Sequence, residues 1–423
     1  MIHDVNRMYS KVVSYLPRWI APQLVEAIRH HPVVILTGAR QVGKSTLLRN
    51  EEPFRHWAFH TLDDLSVLRQ AKEDPESLVT GTNPLVLDEV QRAPDLLLAV
   101  KKAVDEDPAR RFLLSGSANL LLLKEVSENL AGRAVFFTLN PLTYGEMAGK
   151  PPPPLVLKLL SGEPANPEPA APIPDLLPLL LRGWMPALLR MPNASACSQW
   201  WNGYVSTYLE RDMRQFSQIT QLVDFRRVME LTALRSGQIL NQSEVSRDAG
   251  FSQPTIHRYL NLLESTYLFQ RLPAYTISHT TGLLKTPKSF WVDSGLAIFL
   301  AGYYSVDQLA GSRELGGFLE TMIYLHLRVL AGLLNPPAKL YYWRQRTGAE
   351  VDFVVEYGRR RLAIEVKQNA RPRYQDTVGL RAFLAGDPQA TGILLHGGEE
   401  SLSFGERLLA VPWSAVTGDA AAS

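Results

Sequence analysis

Cysteine is almost absent: Cys197 stands alone in 423 residues. One cysteine cannot close an internal disulfide, so nothing argues for an oxidising compartment. No run of 18 or more residues is continuously apolar, and no membrane span is expected. The opening Met-Ile-His-Asp-Val-Asn-Arg is too polar for a secretion signal, so the expected location is the cytoplasm. Net charge is scarce too. The 44 Lys/Arg and 42 Asp/Glu leave only +2, which excludes a whole-chain basic coat and an acidic disordered chain. It does not exclude a local basic face. The nine histidines show no metal spacing, and there is no internal repeat and no coiled-coil heptad. What is present is ordinary for a soluble globular protein: 46% hydrophobic and 20% charged residues. At roughly 150 residues per domain, the length predicts two to four domains.

Proline divides the chain. Nine of its 29 prolines fall within 151–174, where missing backbone donors and fixed φ rule out a long helix or a central strand. Residues 151–175 are expected to be a semi-rigid linker, or alternatively a proline-motif docking segment. Before them, Val33-Val34-Ile35-Leu36, Leu85-Val86-Leu87 and Arg111-Phe112-Leu113-Leu114 are buried-strand runs separated by helical patterns such as Asp95–Val104. That alternation predicts an α/β block with a parallel sheet and helices on both faces over 1–150. Residues 176–272 have mostly helical spacing. Mixed patterning returns at 286–423, with strand-like runs at Leu340–Trp343, Val351–Glu356, Leu362–Val366 and Gly392–Leu395. Trp184, Trp200, Trp201 and Trp291 are expected in cores.

Gly38-Ala39-Arg40-Gln41-Val42-Gly43-Lys44-Ser45 matches the full phosphate-loop pattern between a strand run and a helix pattern. Gly38 and Gly43 let the backbone curl so that successive N–H groups face phosphate oxygens. Ala39, Arg40, Gln41 and Val42 form the cradle, and the helix from Lys44 through Thr46 adds its positive end. Lys44 supplies a point charge to the β- and γ-phosphates, and the Ser45 hydroxyl is a Mg²⁺ ligand. Leu85-Val86-Leu87-Asp88-Glu89 places Asp88 at a strand's carboxyl end, where it holds Mg²⁺ through water. Glu89 follows, placed to polarise the attacking water. The run ending Ser115-Gly116-Ser117-Ala118-Asn119 puts a further hydroxyl, Ser115 or Ser117, at the water. A plain cap by Ser117 or Asn119 is the alternative. Arg133 is a candidate arginine finger toward a neighbouring subunit, with Arg182 and Arg211 as other candidates, or else a surface arginine.

These segments, with Leu130-Ala131-Gly132-Arg133 and Leu139-Asn140-Pro141-Leu142-Thr143-Tyr144-Gly145-Glu146, resemble the AAA+ ATPases of bacteria and archaea that carry a restriction-endonuclease-like C-terminal domain of unknown function. The resemblance runs from about 15 to 400. It implies an AAA+ fold, ATP and Mg²⁺ as cofactors, and a homo-oligomeric, hexameric ring. Lys44 and Ser45 take the family's Walker A positions, and Asp88 and Glu89 its Walker B positions. The long proline-rich stretch departs from the family pattern and leaves the helical lid, assigned to 176–232, loosely placed.

Residues 233–285 read as a winged helix-turn-helix. Asn241 or Gln242 opens a short helix that Gly250 ends; Ser252 caps the next, with Pro254 in its first turn. Ile256, Leu260 and Leu263 share an apolar face, leaving Gln253, Thr255, His257, Arg258 and Asn261 outward, as a helix entering a major groove requires. Residues 226–290 hold eight Lys/Arg and four acids, a surplus of +4 suited to phosphate contact. DNA is the expected partner; protein docking is the alternative.

In the last module, assigned to 286–423, Asp352 and Glu365 lie on strands joined by a tight turn, and Glu365 and Lys367 share a face. With Glu320 upstream, the spacing resembles the PD-(D/E)xK nucleases. The resemblance implies that Glu320, Asp352 and Glu365 hold a second Mg²⁺ or Mn²⁺ while Lys367 sits beside the reacting water. Charged strand ends, or a retained fold without cleavage, are the alternatives. Trp343-Arg344-Gln345-Arg346 and Arg359-Arg360-Arg361 are further candidate phosphate contacts. The whole reads as an ATPase acting on DNA. Its rival is a nucleotide-controlled oligomeric switch with a protein-docking winged helix and an inactive nuclease-like fold.

Overall fold

The computed structural model describes residues 15–81, 83–117, 129–163, 173, 176–209, 222–276, 286–345 and 348–418. Asn119, Arg211, Lys285, Arg346 and the prolines 164, 167, 169, 172 and 174 lie outside the described residues. The chain divides into two compact units. Residues 13–141 form one, to which 265–267 are grouped; 142–264 and 268–423 form the other.

The first unit runs α1 (Ala21–His30), β1 (Val33–Thr37), α2 (Lys44–Asn50), β2 (Ala58–Thr61), β3 (Leu85–Asp88), α3 (Leu96–Glu106), β4 (Phe112–Ser115) and β5 (Ala134–Thr138). The sheet is parallel throughout, in the order β2-β3-β4-β1-β5. Every residue of β1, β3 and β4 is buried, which is why those strands read as unbroken apolar runs. The outer strands β2 and β5 are only partly buried, and their mixed sequences gave no such signal. Because β4 lies between β1 and β3, the carboxyl ends of all three strands sit together.

The second unit opens with α4 (Tyr144–Met147), closed by a reciprocal cap between Thr143 and Glu146. The expected linker is not wholly extended: α5 (Pro154–Ser161) is a helix. Pro153 and Pro154 fall at its entrance, where a missing N–H costs nothing, and Leu155, Val156 and Leu160 are buried. Next come α6 (Leu176–Arg182), α7 (Ala194–Tyr204) and α8 (Leu222–Ala233). Trp184, Trp201 and Trp291 are buried, while Trp200 is half-buried and stacks on Tyr204.

A second group of elements is β6 (Gln238–Ile239), α9 (Gln242–Ala249), α10 (Gln253–Ser265), β7 (Phe269–Leu272) and β8 (Lys288–Trp291). Asn241 caps α9, and Gly250 ends it in the left-handed region at φ 76°, a conformation glycine adopts without Cβ strain. The three strands form an antiparallel sheet, β6-β8-β7. Thus 288–291, which the sequence places at the start of the last module, completes the sheet of the preceding one. Its side chains are all buried, so its sequence alone does not tell which sheet it joins.

The chain continues through α11 (Ser294–Leu300) and the long α12 (Leu315–Gly332). It then forms β9 (Lys339–Arg344), β10 (Glu350–Tyr357), β11 (Arg360–Val366), α13 (Val378–Gly386), β12 (Ala390–His396), β13 (Leu402–Gly405) and β14 (Leu408–Pro412). Their mixed sheet has the order β13-β14-β12-β11-β10-β9. Helix α12 packs against β8, β9, β10 and β11, and α13 against β10, β11 and β12.

Candidate functional site

The loop after β1 is shaped by its surroundings. Gly38 has φ 142°, and a Cβ there would lie 2.3 Å from the Leu139 carbonyl oxygen, so only glycine fits. Gln41 and Gly43 also take positive φ, curling the chain back into α2. Arg18, buried and far upstream, donates to the Val42 carbonyl (2.9 Å) and to those of Asn140 and Pro141 (2.7 and 3.1 Å). It braces the loop from behind, a role no local motif announces.

Lys44 is buried, and its ammonium donates to the loop carbonyls of Gly38 and Ala39, both at 2.9 Å. Burial lowers its pKa to about 8, opposed by the nearby charges of Glu89 and Asp88. Ser45 donates to Asp88 Oδ2 at 2.7 Å, and Ser115 donates to Asp88 Oδ1. One carboxylate thus joins the first turn of α2 to the end of β4. Glu89 stands at φ 59° just past β3, a left-handed conformation uncommon for a residue with a Cβ and frequent at functional sites. The Gln91 amide donates to Glu89 and to Ser117 Oγ (2.8 Å), and the Ser117 hydroxyl lies 3.4 Å from Glu89 Oε2. Gln91 therefore orients the carboxylate. It stands in the same short segment as Asp88 and Glu89, yet its role is visible only in three dimensions.

This set meets the demands of a magnesium–nucleoside triphosphate. It offers a glycine-curled loop, a buried ammonium, a hydroxyl–carboxylate pair for the metal and a second, oriented carboxylate. Arg133 lies elsewhere: it precedes β5, whose Ala134 pairs with Val33 at the amino end of β1. Its guanidinium forks onto Asp105 of its own chain at 2.6 and 3.0 Å. Arg182 sits beside Cys197, whose pKa is raised by burial.

The C-terminal carboxylates are gathered differently from expectation. The Lys288 ammonium lies 3.0 Å from Glu320 Oε2, 3.1 Å from Glu350 Oε1 and 3.0 Å from Asp352 Oδ1. The ammonium donates hydrogen bonds to Glu320 and Asp352, and Glu350 joins them as an ion pair. Asp352 Oδ2 accepts the Val366 N–H at 2.9 Å. Lys367 donates to Glu365 Oε1 at 2.7 Å, while Glu365 Oε2 is buried with no hydrogen-bond partner. Burial, reinforced by Asp352, raises Glu320 to about 8 and Glu365 to about 7. Burial works against the charge on Lys288, but Asp352, Glu320 and Glu350 hold it well above the ordinary lysine range.

A divalent metal at Glu320, Asp352 and Glu365 does not fit this arrangement. Among the described residues no group of three or more His, Cys, Asp or Glu is placed to hold a metal ion. Where Mg²⁺ needs convergent oxygens with nothing between them, the Lys288 ammonium stands between Glu320 and Asp352, and Glu365 is paired with Lys367. The sequence reading missed Lys288 because it lies 32 residues before Glu320, on a strand assigned by neighbourhood alone. Glu350 was hidden among ordinary strand-end charges. Of the basic clusters, Arg361 pairs with Asp387 at 2.6 Å and Arg344 lies 3.7 Å from Glu350, while Arg359 and Arg360 are exposed.

Fold and loop together define the class: the first unit is a P-loop, AAA-like ATPase domain. Residues 30–148 match the family model described as "AAA domain". Residues 173–307 and 315–416 match two models, each described as a domain of unknown function (DUF8612 and DUF4143). The chain belongs to the same family as two mycobacterial proteins, "Uncharacterized protein Rv2008c" of Mycobacterium tuberculosis and "Uncharacterized protein Mb2031c" of Mycobacterium bovis. Each is 30% identical over 418 residues, 97% of this chain and 87% of the relative. Among solved structures, "The walker-type atpase paby2304 of pyrococcus abyssi" is similar at 17% identity, covering 66% of this chain and 94% of that one, with a TM-score of 0.43. No helix among the described residues is long and apolar enough to cross a membrane.

Proposed function

We propose that the chain hydrolyses ATP with Mg²⁺ at the loop 38–46, and that turnover in a homo-oligomeric ring moves or remodels DNA. The observation that carries the ATPase reading is the meeting of Lys44, the Ser45–Asp88 pair and the Gln91-oriented Glu89 at the carboxyl ends of β1, β3 and β4. When bound, Mg²⁺-ATP supplies the phosphoanhydride bond to be broken and spreads the developing charge. Lys44 and the loop N–H groups hold phosphate oxygens, and Ser45 with Asp88 holds the metal. Glu89 takes a proton from the attacking water, and Gln91 and Ser117 fix the direction from which it does so. Arg133, once released from Asp105, is the candidate to complete a neighbour's site.

The helix pair α9–α10 supports DNA as the substrate acted upon. Gln253, His257 and Arg258 are exposed on α10, while Ile256, Leu260 and Leu263 are buried beneath. Such a polar, cationic helix face suits a major groove, and the two helices with their antiparallel sheet suit a winged helix. The C-terminal module holds DNA rather than cutting it, because an ammonium already stands among its carboxylates.

The test is ATP turnover by the purified chain and its Lys44→Ala variant, with and without duplex and forked DNA at fixed low salt. Loss of turnover in the variant, and DNA stimulation of the wild type, are expected. Hydrolysis that survives Lys44→Ala sinks the site assignment. Turnover indifferent to DNA, with no DNA binding, favours the nucleotide-controlled switch with a protein-docking winged helix.

A further inference from the structure

We propose that Lys288 is the resident cation of the C-terminal carboxylate cluster, a built-in ammonium standing where a nuclease of this spacing places a metal ion. It closes the site to Mg²⁺ and Mn²⁺, and removing it opens a divalent-cation site.

Four observations carry the inference. The first is enclosure: three carboxylates stand 3.0–3.1 Å from the Lys288 ammonium, which donates to Glu320 and Asp352 and pairs by charge with Glu350. The second is burial. The lysine side chain is 4% exposed, and a buried charge persists only when it is paired. The three acids need a cation as much as the lysine needs them. The third is origin, because the three acids and the lysine come from three different elements. Glu320 is on α12, Glu350 and Asp352 are on β10, and Lys288 is on β8 of the small antiparallel sheet. The ammonium therefore pins the helix and the β10 strand to a different sheet, which a metal held within the last module would not do. The fourth is the spare acceptor: Glu365 Oε2 is buried and unpartnered, so oxygen donors exceed what the two lysines use.

Replacing the ammonium with a neutral side chain leaves Glu320, Glu350 and Asp352 facing one another without a counter-charge. Carboxylates crowded in this way either take up protons or bind a cation, and three oxygen donors with water complete the shell of Mn²⁺.

The experiment is nucleotide-free Mn²⁺ titration of the full chain, read from the loss of the free-ion electron paramagnetic resonance signal. Wild type and Asp352→Asn are expected to give the same isotherm, with no Asp352-dependent site. Lys288→Met is expected to gain one bound Mn²⁺ per chain, lost again in Lys288→Met/Asp352→Asn. A wild-type site that disappears in Asp352→Asn overturns the proposal, and so does a folded Lys288→Met chain that gains no Mn²⁺. If Lys288→Met does not fold, the wild-type and Asp352→Asn pair decides alone. None of these readings involves ATP turnover, so the result is independent of the ATPase assignment.

Discussion

His326 shows what burial does to one residue. It is fully buried in α12; its Nε2 accepts the Tyr144 N–H at 2.9 Å and its Nδ1–H donates to the Met322 carbonyl at 2.8 Å. With both nitrogens engaged in an apolar surround, burial lowers its pKa to about 4. The unfolded chain binds a proton near pH 6.5, whereas the folded chain does not until about 4. The neutral histidine's contribution is therefore complete above 6.5 and is lost as pH falls through that window. The loss amounts to roughly 3 kcal/mol. Urea unfolding at pH 7 and pH 4 should show that loss in wild type and a flatter acid profile in His326→Gln, which cannot titrate. Equal slopes would mean that the ring is reached by protons in the native state. The same contrast governs the candidate sites. Lys44, Ser45, Asp88 and Glu89 were legible because loop and strand-end chemistry are dictated by neighbours in the chain. Arg18, Gln91, Lys288 and Glu350 were not, because what each does depends on groups brought to it by folding.

At the scale of elements, packing sorts residues that look identical in sequence. Gly316 and Gly317 are adjacent in the first turn of α12. A Cβ on Gly316 would meet nothing within 4 Å, whereas one on Gly317 would lie 2.4 Å from the Ser236 carbonyl oxygen. Gly316→Ala is expected to raise stability by about 0.4–1 kcal/mol through the unfolded chain. Gly317→Ala is expected to lower it by about 1–3 kcal/mol, because the helix must back away from a carbonyl that cannot yield. Opposite shifts in the urea midpoint check this; shifts of the same sign would show that α12 does not approach Ser236 so closely. Strands β1, β3 and β4 were readable because both their faces are buried. Strands β2 and β5 were not, since their partial burial leaves mixed composition. The prolines before α5 read as a break when they are in fact its first turn, because proline forbids the interior of a helix and not its start.

For the whole molecule, the near-neutral total hides unequal parts. The surplus of +4 in 226–290 exceeds the chain's +2, but several of its cations already have carboxylate partners. Arg235 pairs with Asp248, Arg271 with Glu264, and Lys288 with three carboxylates. Arg258, exposed on α10, has none of these partners. If α10 meets DNA as proposed, Arg258→Ala should weaken duplex binding similarly for all sequences and reduce the slope of log affinity against log salt by about 1. An unchanged slope would place the DNA on another face. The sequence by itself determined the ATPase domain's chemistry, since a phosphate loop and an acid-tipped strand are contiguous segments whose shape follows from glycine, helix polarity and strand burial. Only the tertiary structure decided the fate of the C-terminal acids. Whether a carboxylate cluster faces a metal or a lysine depends on which distant strand is packed against it, and β8 arrives there through the pairing of a sheet that no local pattern specifies.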